Sequence, residues 1–147
     1  MKTYKGYFKP KNPQKYQGDP TNIVYRSRWE LKLMMYLDDH KDILNWSSEE
    51  VIIPYRSPID GKIHRYFPDF KVTKINKEGN KETALIEIKP LSQTQPPKKQ
   101  PKITKRYITE VKTWGVNEAK WKAAQSYCLD RGWSFHIFTE KELGIKW

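Results

Sequence analysis

The chain has 147 residues, which is enough for one domain with a substantial core. Its 28 Lys and Arg against 17 Asp and Glu give a formal net charge of +11, which favours a polyanionic partner such as nucleic acid. No apolar run is long enough to span a membrane, and the basic start lacks the apolar stretch of a signal peptide. The single cysteine, Cys128, excludes an internal disulfide and, with three histidines, argues against a zinc cluster.

The first 22 residues interleave lysines with aromatic residues and contain three prolines. They show neither a helical nor a strand period, so we predict an extended basic and aromatic arm over 1–22, with a solvated tail as the alternative. The remainder, 23–147, shows no repeat or linker and is predicted to form one domain. Its first helix is predicted over 28–39, because Ser27 is a good N-cap and Glu30 follows it as in a capping box.

Runs rich in β-branched and aromatic residues predict four strands, over 49–56, 63–75, 82–89 and 133–138. Three later helices are predicted, over 103–113, from Asn117 to Arg131 before Gly132, and from the Thr139 cap onward. This order of elements predicts an α/β fold, with helices packed on a sheet.

Two acids and one lysine are the candidate catalytic residues: Asp69, Glu87 and Lys89. The turn over 76–80 predicts a hairpin that sets Asp69 beside Glu87. Glu87 and Lys89 are two residues apart, so on a strand they share one face, while Ile88 points to the other. Two adjacent carboxylates in an apolar layer repel each other and are costly to bury, and a divalent cation would relieve both problems. The alternative is a solvated strand edge with one surface ion pair.

The same groups suit metal-dependent hydrolysis of a phosphodiester. Mg²⁺ prefers hard oxygen ligands, so we expect Asp69, Glu87 and the carbonyl of Ile88 to bind it, with Mn²⁺ as a substitute. Lys89 would orient the attacking water or help to deprotonate it. Glu30 falls inside the apolar arc of the first helix, so we expect it to face the site and support a second ion or a bound water. A purely capping role for Glu30 is the alternative.

Basic and polar side chains are predicted to hold the DNA backbone without selecting a sequence. Seven of them flank the first helix or follow the catalytic strand in and after the proline-rich loop 90–101: Arg26, Arg28, Lys98, Lys99, Lys102, Lys105 and Arg106. On the last long helix, Lys122 and Gln125 are candidates for the same role, with a solvated helix face as the alternative. Lys120, on the same helix, is predicted to be solvated.

The pattern Pro68-Asp69 followed by Glu87-Ile88-Lys89 resembles the PD-(D/E)XK nuclease superfamily, over the central third of the chain. The segment from Tyr25 to Glu30 resembles the helix that supplies an extra acid in its transposon-end endonuclease branch, although that branch has a glutamine in place of Glu87. Nearly the whole chain resembles the head-completion nucleases of T4-like bacteriophages. The segments that carry this likeness are Gly18–Pro20, Tyr25–Glu30, Glu87–Pro90, Thr94–Pro97 and Trp121–Ser126.

The resemblance implies a restriction-endonuclease-like core, with a mixed central sheet flanked by helices, and a Mg²⁺-dependent DNA endonuclease. That enzyme would process packaged DNA ends before tail joining, in the host bacterial cytoplasm or in association with the virion. DNA and other phage head or neck proteins would be its partners, with no membrane involved and the oligomeric state open. Two alternatives remain: a non-enzymatic DNA-binding head protein on this fold, and a junction or transposition endonuclease.

Overall fold

A four-stranded mixed sheet lies between two helices in the computed structural model, which describes residues 5–144. In chain order the strands are β1 (Gly6–Phe8), β2 (Ile23–Tyr25), β3 (Ile43–Ser48), β4 (Ile53–Arg56), β5 (Ile63–Tyr66), β6 (Phe70–Ile75), β7 (Lys81–Ile88) and β8 (Ser134–Phe138). The helices are α1 (Arg28–Asp39) and α2 (Lys105–Arg131), and short 3-10 turns lie at Pro13–Lys15 and Leu91–Thr94. None of these helices is both long and apolar enough to cross a membrane.

The central sheet has the spatial order β3-β6-β7-β8. Its first three strands are antiparallel, whereas β8 runs parallel to β7, because α2 carries the chain back across the sheet between them. Two separate antiparallel pairs, β1 with β2 and β4 with β5, flank this sheet. The structure thus confirms the predicted α/β fold, with a mixed sheet flanked by helices.

The alternation of side chains along β7 divides the interior into two cores. Ile86 faces α1 and packs in one cluster with Phe70 and Trp46, whereas Leu85 faces α2 and packs in a second cluster with Trp121. All five of these side chains are nearly inaccessible to solvent. Since side chains two apart share a face, the residue after Ile86 lies on the α2 side of the sheet.

Two strand predictions needed correction. The segment predicted as one strand over 63–75 forms β5 and β6, which belong to different sheets and are separated by Phe67–Asp69. Pro68 lacks a backbone N–H for a strand ladder and lies fully buried at this break. The prediction over 49–56 began too early, since β4 starts at Ile53, and β3 was missed because its Asn and Ser residues obscure the alternation.

Helix α2 is continuous, which corrects the two helices predicted over 103–113 and from Asn117. Asn117 is a buried interior residue of α2 and not an N-cap. Gly115 in a helix costs only about 1 kcal/mol relative to alanine, which the burial of Trp121 and its neighbours outweighs. The predicted end of the helix is confirmed, because Gly132 adopts a left-handed conformation with φ of 70°.

The described part of the N-terminal segment, residues 5–22, packs on the domain and does not form an extended arm. Phe8 and Tyr16 are buried against Trp46, with ring centroids 5.9 and 4.8 Å from it. The buried carboxylate of Asp38 accepts hydrogen bonds from the backbone N–H groups of Lys11, at 2.8 Å, and Asn12, at 3.0 Å. These contacts link residues far apart in sequence, so local periodicity does not reveal them. The remainder of the predicted arm, residues 1–4, lies outside the described residues.

The helix predicted from the Thr139 cap onward is not formed over the described residues 140–144, although Thr139 and Glu142 make the predicted contact. The carboxylate of Glu142 accepts hydrogen bonds from the N–H and the hydroxyl of Thr139, at 2.6 and 2.8 Å. Residues 140–144 are turns, and any continuation beyond Gly144 lies outside the described part of the chain.

Candidate active site

The hairpin of β6 and β7 brings Asp69 next to the end of the strand that carries Glu87. Phe70 pairs with Ile86 in this ladder, so Asp69, one residue before it, meets the next position of β7. Oδ2 of Asp69 accepts a hydrogen bond of 2.8 Å from the N–H of Ile88. Glu87 is 7% exposed, and Asp69 is partly buried. The juxtaposition that the sequence predicts is therefore present.

Burial perturbs both carboxyl groups. It raises the pKa of Asp69 well above its ordinary value, and the nearby charge of Glu87 raises it further. Burial also raises the pKa of Glu87, although hydrogen bonding and two lysine charges act in the opposite direction. A divalent cation between two such carboxyls would offset their mutual repulsion.

Tyr66, the last residue of β5, belongs to this site and was not predicted from the sequence. Its phenol donates a hydrogen bond of 2.7 Å to Oε1 of Glu87. Burial and the charge of Glu87 raise the pKa of Tyr66, so the phenol stays protonated and remains a donor. The sequence signal for this role was the tyrosine itself. A buried tyrosine hydroxyl usually has a hydrogen-bond partner, whereas a phenylalanine needs none.

Lys89 lies on the same side of the sheet as Glu87, as the spacing of the two residues along the strand predicts. Its Nζ is 3.8 Å from Oε2 of Glu87, so the two oxygens of that carboxylate face different partners. The backbone N–H of Lys89 donates to the carbonyl of Phe138 at 3.0 Å and holds the end of β7 against β8. Ile88 between them packs against the α1 core, as the alternation along the strand predicts.

Lys120 on α2 is a second lysine at the site, and the prediction that it is solvated was wrong. Its Nζ lies 5.9 Å from the ring centroid of Tyr55 and 5.7 Å from that of Tyr66. Its charge also lowers the pKa of Glu87. Sequence reasoning missed it because the crossing of α2 over the sheet, which sets the side it faces, is not encoded in the helical pattern.

The sequence left two roles open for Glu30 on α1, helix capping and a position that faces the candidate site. The structure has contacts that bear on both. Its N–H donates to Oγ of Ser27 at 3.1 Å, which is the N-cap, and its carboxylate accepts a 3.4 Å hydrogen bond from the N–H of Arg26 and not from that of Ser27. Burial raises the pKa of Glu30, and the charge of Glu30 in turn raises the pKa of Asp69. Ser27 therefore caps the helix through the N–H of Glu30, whereas the carboxylate of Glu30 lies within electrostatic reach of the site.

Glu49, which the sequence analysis did not single out, joins the same region. Its N–H donates to the carbonyl of Asp69 at 3.1 Å, and its side chain forms an ion pair with Arg26. Its backbone has φ of 55°, in the left-handed region that non-glycine residues rarely occupy. This conformation places one more carboxylate beside the strand break at Asp69.

The described residues contain no group of three or more His, Cys, Asp or Glu side chains arranged to hold a metal ion. The donor set at the strand ends is a pair of carboxylates, Asp69 and Glu87. That pair fits Mg²⁺, which is commonly held by one or two carboxylates and completes its octahedron with water and substrate phosphate oxygens. It does not fit a closed structural zinc site, which needs four protein ligands.

The predicted DNA-binding residues fall into separate groups. Arg26 is paired with Glu49 beside the site, and Arg28 lines a cavity of about 380 Å³ at the start of α1, with Trp29 and Lys32. Five are exposed, on the loop after Lys89 and at the start of α2: Lys98, Lys99, Lys102, Lys105 and Arg106. Lys122 and Gln125 are also exposed, and at 100° per residue Lys122 lies on the opposite flank of α2 from Lys120. The structure does not bring that pair to the site.

Comparison with known proteins identifies the family of this domain. The family model of the TnsA-like endonuclease N-terminal domain matches residues 40–140. The matched segment contains Asp69, Glu87 and Lys89, and it excludes Glu30 on α1. The chain therefore belongs to the TnsA-like endonuclease family.

A second comparison matches one relative over nearly the whole length of both chains. The chain is 44% identical, over 150 aligned residues and 97% of each chain, to the head completion nuclease of Enterobacteria phage T4. This identity confirms the resemblance to phage head-completion nucleases.

Proposed function

We propose that this protein is a Mg²⁺-dependent DNA endonuclease that processes packaged DNA ends during phage head completion, before tail joining. The observation that carries the proposal is the buried pair Asp69 and Glu87, with Lys89 beside it, on the strand ends of an endonuclease-family domain. The name of the T4 relative supports the place of this activity in head completion. The net charge of +11 supports DNA as the substrate.

Each residue of the candidate site would have its own role in hydrolysing the phosphodiester. Asp69, Glu87 and the carbonyl of Ile88 would hold Mg²⁺, which neutralises phosphate oxygens and lowers the pKa of bound water. Tyr66 fixes one oxygen of Glu87, so the other faces Lys89 and would be available to hold Mg²⁺. Lys89 orients the water that attacks the phosphorus in line with the departing oxygen. Mn²⁺ would substitute for Mg²⁺, because it accepts the same oxygen ligands.

The surrounding charges would position the DNA. Arg26 contacts a phosphate flanking the scissile bond, and Glu30 holds a bound water or a second ion. The exposed lysines after Lys89 follow the backbone and carry affinity without base information. We expect the protein to act in the host bacterial cytoplasm or bound to the virion, with other phage head or neck proteins nearby.

The test incubates purified protein with linear, circular and branched DNA, with Mg²⁺ and with chelator. We expect cleavage that requires Mg²⁺ and falls at least a thousandfold in Asp69→Ala, Glu87→Ala and Lys89→Ala. Glu82→Gln, at the exposed far end of β7, is the matched control and should keep full activity. Circular dichroism shows that each variant is folded.

The outcomes separate the rival functions. DNA binding without turnover under any metal would establish a non-enzymatic DNA-binding head protein. Cleavage confined to branched DNA would establish a junction or transposition endonuclease. Full activity in a folded Asp69→Ala, Glu87→Ala or Lys89→Ala protein would remove that residue from the mechanism.

A further inference from the structure

A groove of about 520 Å³ lies between the segment that follows Lys89 and the N-terminal half of α2. One wall is the loop from Ser92 to Pro97, and the other is α2 from Arg106 to Asn117. Each wall is connected in the chain to a lysine of the candidate active site. The loop begins directly after Lys89, and α2 continues to Lys120. Both walls of the groove therefore belong to segments that are continuous in the chain with residues of the candidate active site.

The spacing along α2 places the groove close to the site. At a rise of 1.5 Å per residue, Asn117 lies about 4.5 Å along the axis from Lys120, and Trp114 about 4.5 Å further. Residues three apart also share a helix face. A strand of DNA that ran from the candidate catalytic residues alongside α2 would therefore pass close to these two side chains.

Asn117 presents a side-chain amide with no partner in the described part of the fold to this groove. It is only 8% exposed and lines the groove, yet its side-chain amide makes no hydrogen bond to any residue in the range 5–144. Its amide atoms nevertheless stay accessible from the groove, because they are not among the fully buried polar atoms without a partner. An amide presents donors and an acceptor together, and the complementary ligand is a group with the same pairing, such as the edge of a nucleobase.

The rest of the lining fits a base better than a phosphate. Trp114 is partly buried, packed edge-on against Trp121 at 5.8 Å, and it contributes aromatic surface to the groove. The charges of Arg106 and Glu110 in the lining are paired with each other at 3.1 Å, so the groove itself is near neutral. The exposed lysines of the same loop, Lys98 and Lys99, lie outside the lining, where a phosphate backbone would pass. Aromatic stacking inside a cationic border is the usual composition of a single-strand binding groove.

We infer that this groove binds an unpaired nucleotide of the DNA substrate, with its base stacked on Trp114 and hydrogen-bonded to Asn117. The loop amides of Gln93 and Gln95 line the other wall and would contact the same base or its neighbour. The inference rests on the proposed nuclease function and specifies its substrate: DNA with a single-stranded segment at the cleaved end, in preference to a blunt duplex.

The experiment measures DNA affinity of the full chain in chelator, so that no cleavage occurs. The ligands are a blunt duplex and the same duplex with a single-stranded tail that carries 2-aminopurine at its first unpaired position. We expect the tailed DNA to bind at least about fivefold more tightly, the lower range for stacking of one base. We also expect quenching of the 2-aminopurine fluorescence, which reports stacking directly.

Two variants assign the preference to the groove. Asn117→Leu removes the amide at similar volume, and the double variant Gln93→Ala with Gln95→Ala changes only exposed loop side chains, so its folding is not at risk. Both should lose most of the preference for tailed DNA and leave affinity for blunt duplex unchanged. Glu118→Gln, exposed on α2 and outside the groove, should retain the preference. If Asn117→Leu does not fold, the loop variant alone decides.

Equal affinity of the wild type for both DNAs would overturn the inference, and so would a preference that survives in the variants. Mg²⁺-dependent cleavage of duplex DNA, measured in parallel, keeps the two claims apart. Cleavage without a preference for tailed DNA would contradict only the inference about the groove. Absence of both cleavage and DNA binding would contradict the proposed function itself.

Discussion

The phenol of Tyr66 is hydrogen-bonded to Oε1 of Glu87 at 2.7 Å, although the residues are 21 positions apart and belong to different sheets. Both side chains are buried. The bond fixes the carboxylate of Glu87 from the side of β5 and leaves Oε2 facing Lys89, 3.8 Å away. The orientation of the central acid therefore depends on a strand pair that contributes no acid of its own.

Replacing Tyr66 with phenylalanine should lower the free energy of unfolding by about 1.5–3 kcal/mol at pH 8 in chelator. The reason is that the buried carboxylate of Glu87 loses its neutral donor, and hydrogen bonds to charged groups contribute about this much. Urea denaturation measures the change. Tyr55→Phe is the matched control, since Tyr55 lies in the same strand pair and its hydroxyl has no hydrogen-bond partner within 5–144. Equal stability of the two variants would show that the hydrogen bond contributes nothing.

Lys120→Gln should reduce the cleavage rate about tenfold at pH 7, equivalent to about 1.4 kcal/mol in the barrier. Lys120 lowers the pKa of Glu87, so its removal raises that pKa and shifts the acid limb of the pH–rate profile to higher pH. Rates measured across a pH series test both effects. Lys112→Gln, exposed on the same helix, controls for loss of one positive charge. An unshifted profile in Lys120→Gln would contradict the electrostatic role.

The two roles of Glu30 separate by substitution. Glu30→Gln keeps a side-chain acceptor for the N–H of Arg26 but removes the charge near Asp69, so we expect an unchanged melting temperature and loss of most activity. Ser27→Ala removes the acceptor of the Glu30 N–H and should cost about 1 kcal/mol of stability while activity persists. Thermal melts and cleavage rates of both variants decide. Full activity in Glu30→Gln would leave capping as its whole role.

Without metal, the stability of the protein should fall as the pH rises above mild acidity. Burial raises the pKa values of Asp69 and Glu87, so the folded state binds protons more tightly than the unfolded chain. The resulting stability is fully present below their unfolded pKa values, about 3.9 and 4.3, and is lost as the pH passes through the raised folded values. Urea denaturation in chelator at pH 5 and pH 8 measures it. Mg²⁺ at pH 8 should restore about 2.7 kcal/mol when present at a hundred times its Kd.

The double variant Asp69→Asn with Glu87→Gln is the control for this pH dependence. It keeps the shape of both side chains but removes the titrating protons, so its stability should depend less on pH and not at all on Mg²⁺. Wild-type stability that is insensitive to Mg²⁺ at pH 8 would argue against a metal between these carboxyls.

Charge reversal of Lys98 and Lys99 should weaken binding to all DNA sequences alike, because interactions with phosphates carry no base information. Both lysines are exposed on the loop that follows β7. The log–log dependence of affinity on salt should flatten by up to about 0.9 for each phosphate that the protein no longer neutralises. Titrations of labelled duplex at several salt concentrations measure the slope. Lys77→Glu with Lys81→Glu, in the turn at the other end of β7, is the control and should change neither quantity.

The sequence was sufficient for the centre of the site and insufficient for its surroundings. The spacing of Glu87 and Lys89 and the turn before them encode a strand face and a hairpin, both of which are local and both of which the structure contains. Tyr66 and Lys120 come to the same site through the packing of one sheet on another and of a helix on a sheet. That packing depends on contacts between residues distant in sequence, and a local periodic pattern does not predict which residues make those contacts.

The same distinction explains the errors in the fold. The break at Pro68 and the burial of Tyr16 against Trp46 are set by tertiary partners. The unbroken α2 results from packing that overrides the weak helix preference of Gly115. The predicted cap by Ser27 and the predicted stop at Gly132 are confirmed, because each acts on the backbone within a few residues.

The parallel pairing of β7 with β8 has a consequence for biosynthesis. During translation, β7 emerges well before β8, and all of α2 must follow before its second partner exists. Until then β7 is an edge strand, and the N–H of Lys89 lacks the carbonyl of Phe138 to which it finally donates. The end of the strand that carries Glu87 and Lys89 is thus completed late, after the chain to Phe138 has left the ribosome. The order of synthesis therefore delays the geometry of the candidate site until β8 has been made.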